Sequence, residues 1–299
     1  MNYSFSRKTT ENKKNCILLI LFLCLWIFNF NSQKIIGHQC YDNWREINNE
    51  QLSNDGSILT YELNPFTGDG ELIIEHLELN KSDTFFLSKN AIISSMSDMV
   101  GFKKYPPYDT IRKLKLKKKE KAKLPKDSLF IFFTKTGNLI KIPQIKRYSA
   151  SKKENYFAYL QQEKKEPRKK KKKECRLFKK KKKNAQKSSS SGHKLTVIDN
   201  ENNVIWKANN VTSYRFSKKG KFLSYITHLK QKSDSSALYL INLNDKSIEK
   251  KFPTQKKYSL PTWNEKENIL AFTHSNDTTK EKNYLLTAYN VSSKKGAIY

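Results

Sequence analysis

Five short segments share one pattern, a turn followed by an apolar strand that ends in an aromatic ring. No other feature restricts the fold of this chain as much. The cleanest copy is Ser53-Asn54-Asp55-Gly56-Ser57-Ile58-Leu59-Thr60-Tyr61, and Ser217-Lys218-Lys219-Gly220-Lys221-Phe222-Leu223-Ser224-Tyr225 matches it position for position. Glu265 to Phe272, with Trp263 ahead of it, and Lys153 to Tyr159 are two more copies; Ser97 to Phe102 is a degenerate one. The closing aromatics stand at 61, 102, 159, 225 and 272, so the steps are 41, 57, 66 and 47 residues. A Gly in the turn allows positive φ, and alternation along each strand gives its two faces different residues.

Each copy is followed by a second apolar run rich in β-branched and aromatic residues: 71–79, 128–134, 194–199, 237–243 and 284–291. Third strands follow after turns at 136–138, 200–203 and 244–246. Outside the N-terminal segment no stretch shows sustained helical periodicity. The two long steps contain lysine tracts; without insertions of roughly 15 and 20 residues every step approaches the ~40–50-residue period of propeller blades. A four-stranded blade cannot bury both faces alone, so blades must stack. The expected fold is therefore all-β, a partial β-propeller of about five WD40/TolB-like four-stranded blades over residues 34–299.

Charge is concentrated. The 299 residues carry a net charge of +30, and two tracts hold most of it: Arg112–Lys126, with nine basic residues and one acid, and Lys164–Lys183, with fourteen and two. Such tracts repel themselves and bury nothing apolar, so 164–192 reads as a disordered Lys/Ser-rich loop between strands. Nearly pure Lys, with Phe178 alone for stacking, it lacks the Arg forks and rings that nucleic-acid readout uses. Deleting Lys164–Lys183 is expected to change stability little.

The N-terminus places the chain. Arg7, Lys8, Lys13 and Lys14 precede the apolar run Cys16–Phe30, and Asn31-Ser32-Gln33 follow. That order is a secretory signal over 1–33, with an uncleaved membrane anchor as the alternative. Both put the remainder in the periplasm, the cell envelope or the medium and exclude nucleic acid as the physiological partner. Any membrane contact would run through this segment alone. Of four Cys, Cys16 and Cys24 lie in the apolar run, leaving Cys40 and Cys175, which excludes a disulfide scaffold. No Cys/His spacing suits zinc, so neither metal nor cofactor is expected.

The segments Tyr41-Asp42-Asn43-Trp44, Leu52 to Tyr61, Gly68-Asp69-Gly70-Glu71-Leu72, Pro106 to Lys113 and Leu124 to Leu129, taken in order, resemble the N-terminal propeller of secreted bacterial prolyl oligopeptidase family proteins. The poly-Lys loop has counterparts there, and the similarity covers about 40–299. Complete members carry an α/β-hydrolase domain with a Ser-Asp-His triad, its nucleophile in a G-x-S-x-G elbow. None of the nine Gly here opens such an elbow, and His38, His76, His193, His228 and His274 follow no nucleophile motif. No catalytic residue is carried over.

The resemblance thus implies a propeller portion lacking its catalytic partner, inactive alone, which gates peptide access when joined to a hydrolase domain, a separately encoded one included. The alternative is a stand-alone envelope propeller acting as a binding or scaffold module. Asp69, Glu71 and Asp83 are the nearest candidates for paired carboxylates and read as solvated turn residues. Asn80, Asn210, Asn276 and Asn290 head N-x-S/T triplets.

Overall fold

The computed structural model describes residues 37, 41, 44–162, 192–230, 234–279 and 281–298. The signal segment, Cys16, Cys24, Cys40, Cys175, His38 and the second lysine tract lie outside the described residues. Residues 1–44 form a unit of their own, in which the Tyr41 and Trp44 rings meet at 4.8 Å. The second unit is Arg45–Tyr299.

Among the described residues twenty strands, all paired antiparallel, make five blades. The first blade is β1 (Arg45–Leu52), β2 (Ile58–Pro65), β3 (Glu71–His76) and β4 (Lys81–Phe86); the second is β5 (Ser88–Ile93), β6 (Met99–Lys104), β7 (Ser128–Phe133) and β8 (Leu139–Ile142). The third comprises β9 (Ile145–Ala150), β10 (Phe157–Gln161), β11 (His193–Ile198) and the first half of β12 (Val204–Phe216). Its second half opens the fourth, with β13 (Phe222–Lys230), β14 (Asp234–Asn242) and β15 (Ser247–Lys251). Val211 is the switch point, pairing with His193 on β11 and Thr227 on β13, so these two blades form one seven-stranded sheet. The fifth blade is β16 (Lys257–Tyr258), β17 (Thr262–Trp263), β18 (Ile269–Ser275), β19 (Leu285–Asn290) and β20 (Lys295–Ile298).

The repeated strands are the second strand of each blade, and the turn before them is built the same way five times. Ser53, Ser94, Ser151, Ser217 and Asn264 each accept, through a side-chain oxygen, the backbone N–H five residues on, at 2.9–3.3 Å. In each case the same residue's own N–H returns to the carbonyl of that partner, at 2.8–3.2 Å. The third position after the anchor is left-handed in four of the five turns, at Gly56, Ser97, Gly220 and Glu267. Neighbouring turns are then tied together. Ser97 Oγ donates to Asp55 Oδ1 (2.7 Å), Ser95 Oγ to the Glu154 carbonyl (2.9 Å), the Lys153 and Glu154 amides to the Lys219 carbonyl (3.1 Å), and the Gly220 amide to Glu267 Oε1 (3.2 Å).

Four apolar layers fill the spaces between five blades, and strand alternation assigns residues to them. On β7, Phe132 packs with Ile58, Leu72 and Ile74 of the first blade, while Leu129, Ile131 and Phe133 pack with Tyr148 and Phe157 of the third. On β13, Leu223 and Tyr225 face the third blade, Phe222 and Ile226 the fifth. The residue before each closing aromatic is small: Thr60, Gly101, Ala158, Ser224 and Ala271. Gly101 is the extreme case, since a Cβ there would stand 2.1 Å from the Phe157 ring.

One expectation is corrected. The first lysine tract does join two strands, β6 and β7, but it is partly helical: α1 spans Tyr108–Leu116 and a single 3₁₀ turn spans Lys121–Lys123. None of the α1 residues is buried, and in nine residues only Ile111 and Leu114 are half-buried, too short an apolar spacing to stand out in so basic a tract. Among the described residues no helix is long and apolar enough to cross a membrane.

Candidate functional site

Where the first two blades meet α1, they leave a cleft of about 680 Å³ lined in part by Glu62, Asp69, Lys89, Tyr105, Tyr108 and Asp127. Glu62 sits on β2 on the same face as Ile58 and Thr60, a position that alternation reserves for the inter-blade layer. It is 3% exposed. Its carboxylate accepts the Asn90 amide (2.7 Å), Asn49 Nδ2 (3.0 Å) and Asn64 Nδ2 (3.3 Å). Asn49 and Asn90 have φ of +54° and +56° where the register shifts within β1 and β5, a left-handed conformation that Asn tolerates better than most residues. Among the described residues no cation pairs with Glu62, so amide dipoles alone compensate a buried charge. A carboxylate has about four acceptor directions, and three are used.

Tyr105 belongs to the same lining. Its hydroxyl accepts the Gly70 amide (2.9 Å) and donates to the Gly70 carbonyl (3.2 Å), and the Lys89 ammonium lies 4.9 Å from its ring centre. Burial pushes the Tyr105 phenol up, reinforced by the charges of Asp69 and Glu62. Asp69 Oδ1 accepts the Tyr108 amide at 2.8 Å, which fixes the start of α1, where a negative charge suits the helix dipole. Three carboxylates face one ammonium in this lining, against a chain of net charge +30. The lining holds no Ser, Thr, Cys or His.

The carboxylates singled out from sequence do not work as a pair. Asp69 is exposed and caps α1. Glu71 is no solvated turn residue: it is buried on β3 and paired with Arg45. Asp83, half-buried on β4, meets His76 Nε2 at 3.1 Å and Lys81 Nζ at 3.4 Å. His76 also lies edge-on to Phe132, and His274 bonds Thr287 Oγ1 at 3.0 Å among Tyr258 and Phe272, which makes both part of the packing. His193 and His228 lie on β11 and β13. Among the described residues no group of three His, Cys, Asp or Glu stands where it could hold a metal ion. Asn80, Asn210 and Asn276 are exposed and Asn290 is half-buried.

Sequence reading missed Glu62 and Tyr105. The available signal was the run Ile58-Thr60-Glu62, which sets a charge on a face that should be apolar.

No model of a known protein family matches the chain, and no curated protein sequence matches it. Solved structures do. An acylaminoacyl peptidase of Pyrococcus horikoshii aligns at 13% identity over 84% of this chain, TM-score 0.44. The β-propeller domain of the trilobed protease from Pyrococcus furiosus aligns at 11% over 85%, also with TM-score 0.44, covering 71% of that chain. A eukaryotic initiation factor aligns at 10% over 85%, TM-score 0.49, covering 55% of that chain. The chain spans 39% of the length of the acylaminoacyl peptidase. These likenesses concern the propeller-type fold, which proteins of different activity share.

Proposed function

We propose that the chain is a non-catalytic propeller portion of a prolyl oligopeptidase-type serine peptidase, located outside the cytoplasm, which admits peptides to a hydrolase domain that supplies the catalytic residues. One observation carries this reading: the segments that resemble that family converge on the cleft. Gly68, Asp69 and Gly70, then Pro106, Tyr108 and Ile111, then Pro125 and Asp127 all line it, around a buried Glu62. An acidic, tyrosine-walled recess of this size suits the ammonium end of a short peptide.

Isothermal titration of the full-length chain with free-amine and N-acetylated tripeptides tests it. The free-amine peptide is expected to bind and the acetylated one to bind at least about tenfold more weakly, since a charge-assisted contact is lost. Glu62→Gln should erase the difference. Equal binding of both peptides, or none, would contradict the reading. In parallel the chain alone should remain unlabelled by a serine-directed fluorophosphonate and should hydrolyse neither proline-containing peptides nor short-chain esters.

The second reading is a stand-alone envelope propeller acting as a binding or scaffold module. It is favoured by the turn-to-turn hydrogen bonds, which tie the five blades together within this chain. Peptide binding that is unaffected by any added hydrolase domain would select it.

A further inference from the structure

A second cleft, of about 360 Å³, opens among the first strands of the third, fourth and fifth blades. Its lining includes Arg147, Ser149 and Lys152 from the third blade, Tyr214, Arg215 and Lys218 from the fourth, and Thr262 and Trp263 from the fifth. Ser149, Arg215 and Thr262 each stand two residues before the anchor of their blade's turn, which is why residues so far apart in sequence meet.

Four cations line this space and no carboxylate does. Arg215 is held in place: Nη1 donates to the Pro261 carbonyl at 2.9 Å and to Thr262 Oγ1 at 3.3 Å. The Arg147 guanidinium lies 5.5 Å from the Tyr214 ring centre, and among the described residues no acceptor engages it. Tyr214 is itself immobilised, fully buried, donating to the Ala158 carbonyl (2.8 Å) and accepting from Ser149 Oγ (3.1 Å). Lys218 is neutralised from outside by Glu265, at 2.8 Å. Trp263 is 4% exposed, and its indole N–H has no acceptor. The site thus combines a fixed guanidinium, a second one with free donors and aromatic walls (Phe216 and Trp263).

We propose that this cleft binds the oxyanion of a small organic anion that carries an apolar or aromatic body. Planar guanidinium forks match the two oxygens of a carboxylate or phosphate, and a cavity of this volume admits a small molecule but not a folded chain. The inference is independent of the peptide reading, since the two clefts share no lining residue.

The probes are hippurate, a carboxylate, and phenyl phosphate, a phosphate monoester, titrated into full-length ¹⁵N-labelled protein while the Trp263 indole N–H signal is followed. Trp263→Phe assigns that signal. Saturable movement with either probe is expected, and whichever binds tighter identifies the anion class. Arg147→Gln, which alters an exposed side chain, should weaken binding about tenfold by removing charge-assisted hydrogen bonds. Arg215→Gln should weaken it at least as much, with circular dichroism melting confirming that the variant folds. Lys207→Gln, on an exposed part of β12, should bind as the parent does. An unmoved indole signal with both probes, or undiminished binding by Arg147→Gln, would overturn the proposal.

Discussion

Ser217 shows what one repeated residue contributes. Its hydroxyl, buried to 3% exposure, accepts the Phe222 amide at 3.0 Å and the Gly220 amide at 3.3 Å. Replacing it with Ala strands a buried donor, so Ser217→Ala should cost about 1–3 kcal/mol in a urea unfolding titration. Gly101→Ala should cost a similar amount, about 1–3 kcal/mol, through overpacking, because the added methyl would enter the Phe157 ring. Asp55 acts through charge. Hydrogen bonds from Ser53, then Ser97 and Ser57, hold its carboxyl well below the ordinary carboxylate value. Because the folded value is the lower one, the stabilisation is present in full above about pH 5 and is lost as the pH falls toward the depressed folded value. Asp55 is exposed, so the effect should stay below about 1 kcal/mol. Asp55→Asn should flatten this acid limb in melting curves recorded from pH 6 down to pH 3, and an unchanged limb would refute the assignment.

At the level of elements, legibility followed burial. The second and third strands of each blade were readable because they lie in the apolar layers, so their alternation and closing aromatics are written in the sequence. The first strands were not. β1 is polar and mostly exposed, and β16 and β17 have two residues each, too short for any period to register. The continuity of β12 through Val211 was also hidden, since pairing with both neighbours leaves no mark in composition. Neither cleft was legible for a related reason: Arg147 and Arg215 are brought together by blade stacking, and sequence spacing carries no trace of that. Helix α1 belongs to the same class. It buries no residue, and its contribution is a wall of the acidic cleft. Replacing 107–125 with a short Gly/Ser turn should therefore leave unfolding cooperative, with a stability change of about 1 kcal/mol or less. Calorimetry would reveal it, and loss of the cooperative transition would show that α1 belongs to the core.

For the molecule as a whole, the decisive feature is that the four apolar layers join five blades in a row. Among the described residues no such layer connects the fifth blade back to the first. The terminal blades accordingly present apolar side chains outward. Ile47 and Leu52 on β1 are 60% and 61% exposed, and Leu285 and Ile298 in the fifth blade are 49% and 65% exposed. Exposed strands of this kind invite pairing with another chain, and lysine placed along them opposes it. The net charge of +30 supplies repulsion between copies, but only over a Debye length, about 8 Å at physiological salt. Association of the full-length chain should therefore be weak at low ionic strength and rise with added salt. Sedimentation velocity at 20 mM and 500 mM NaCl would measure it, in a detergent that keeps the N-terminal apolar run in solution. The double variant Ile47→Lys/Leu52→Lys should suppress the high-salt species, because it places charge on the first blade's outward strand. A parent chain that stays monomeric at both salt concentrations, or a variant that associates as strongly as the parent, would mean that the terminal blades are covered within a single molecule.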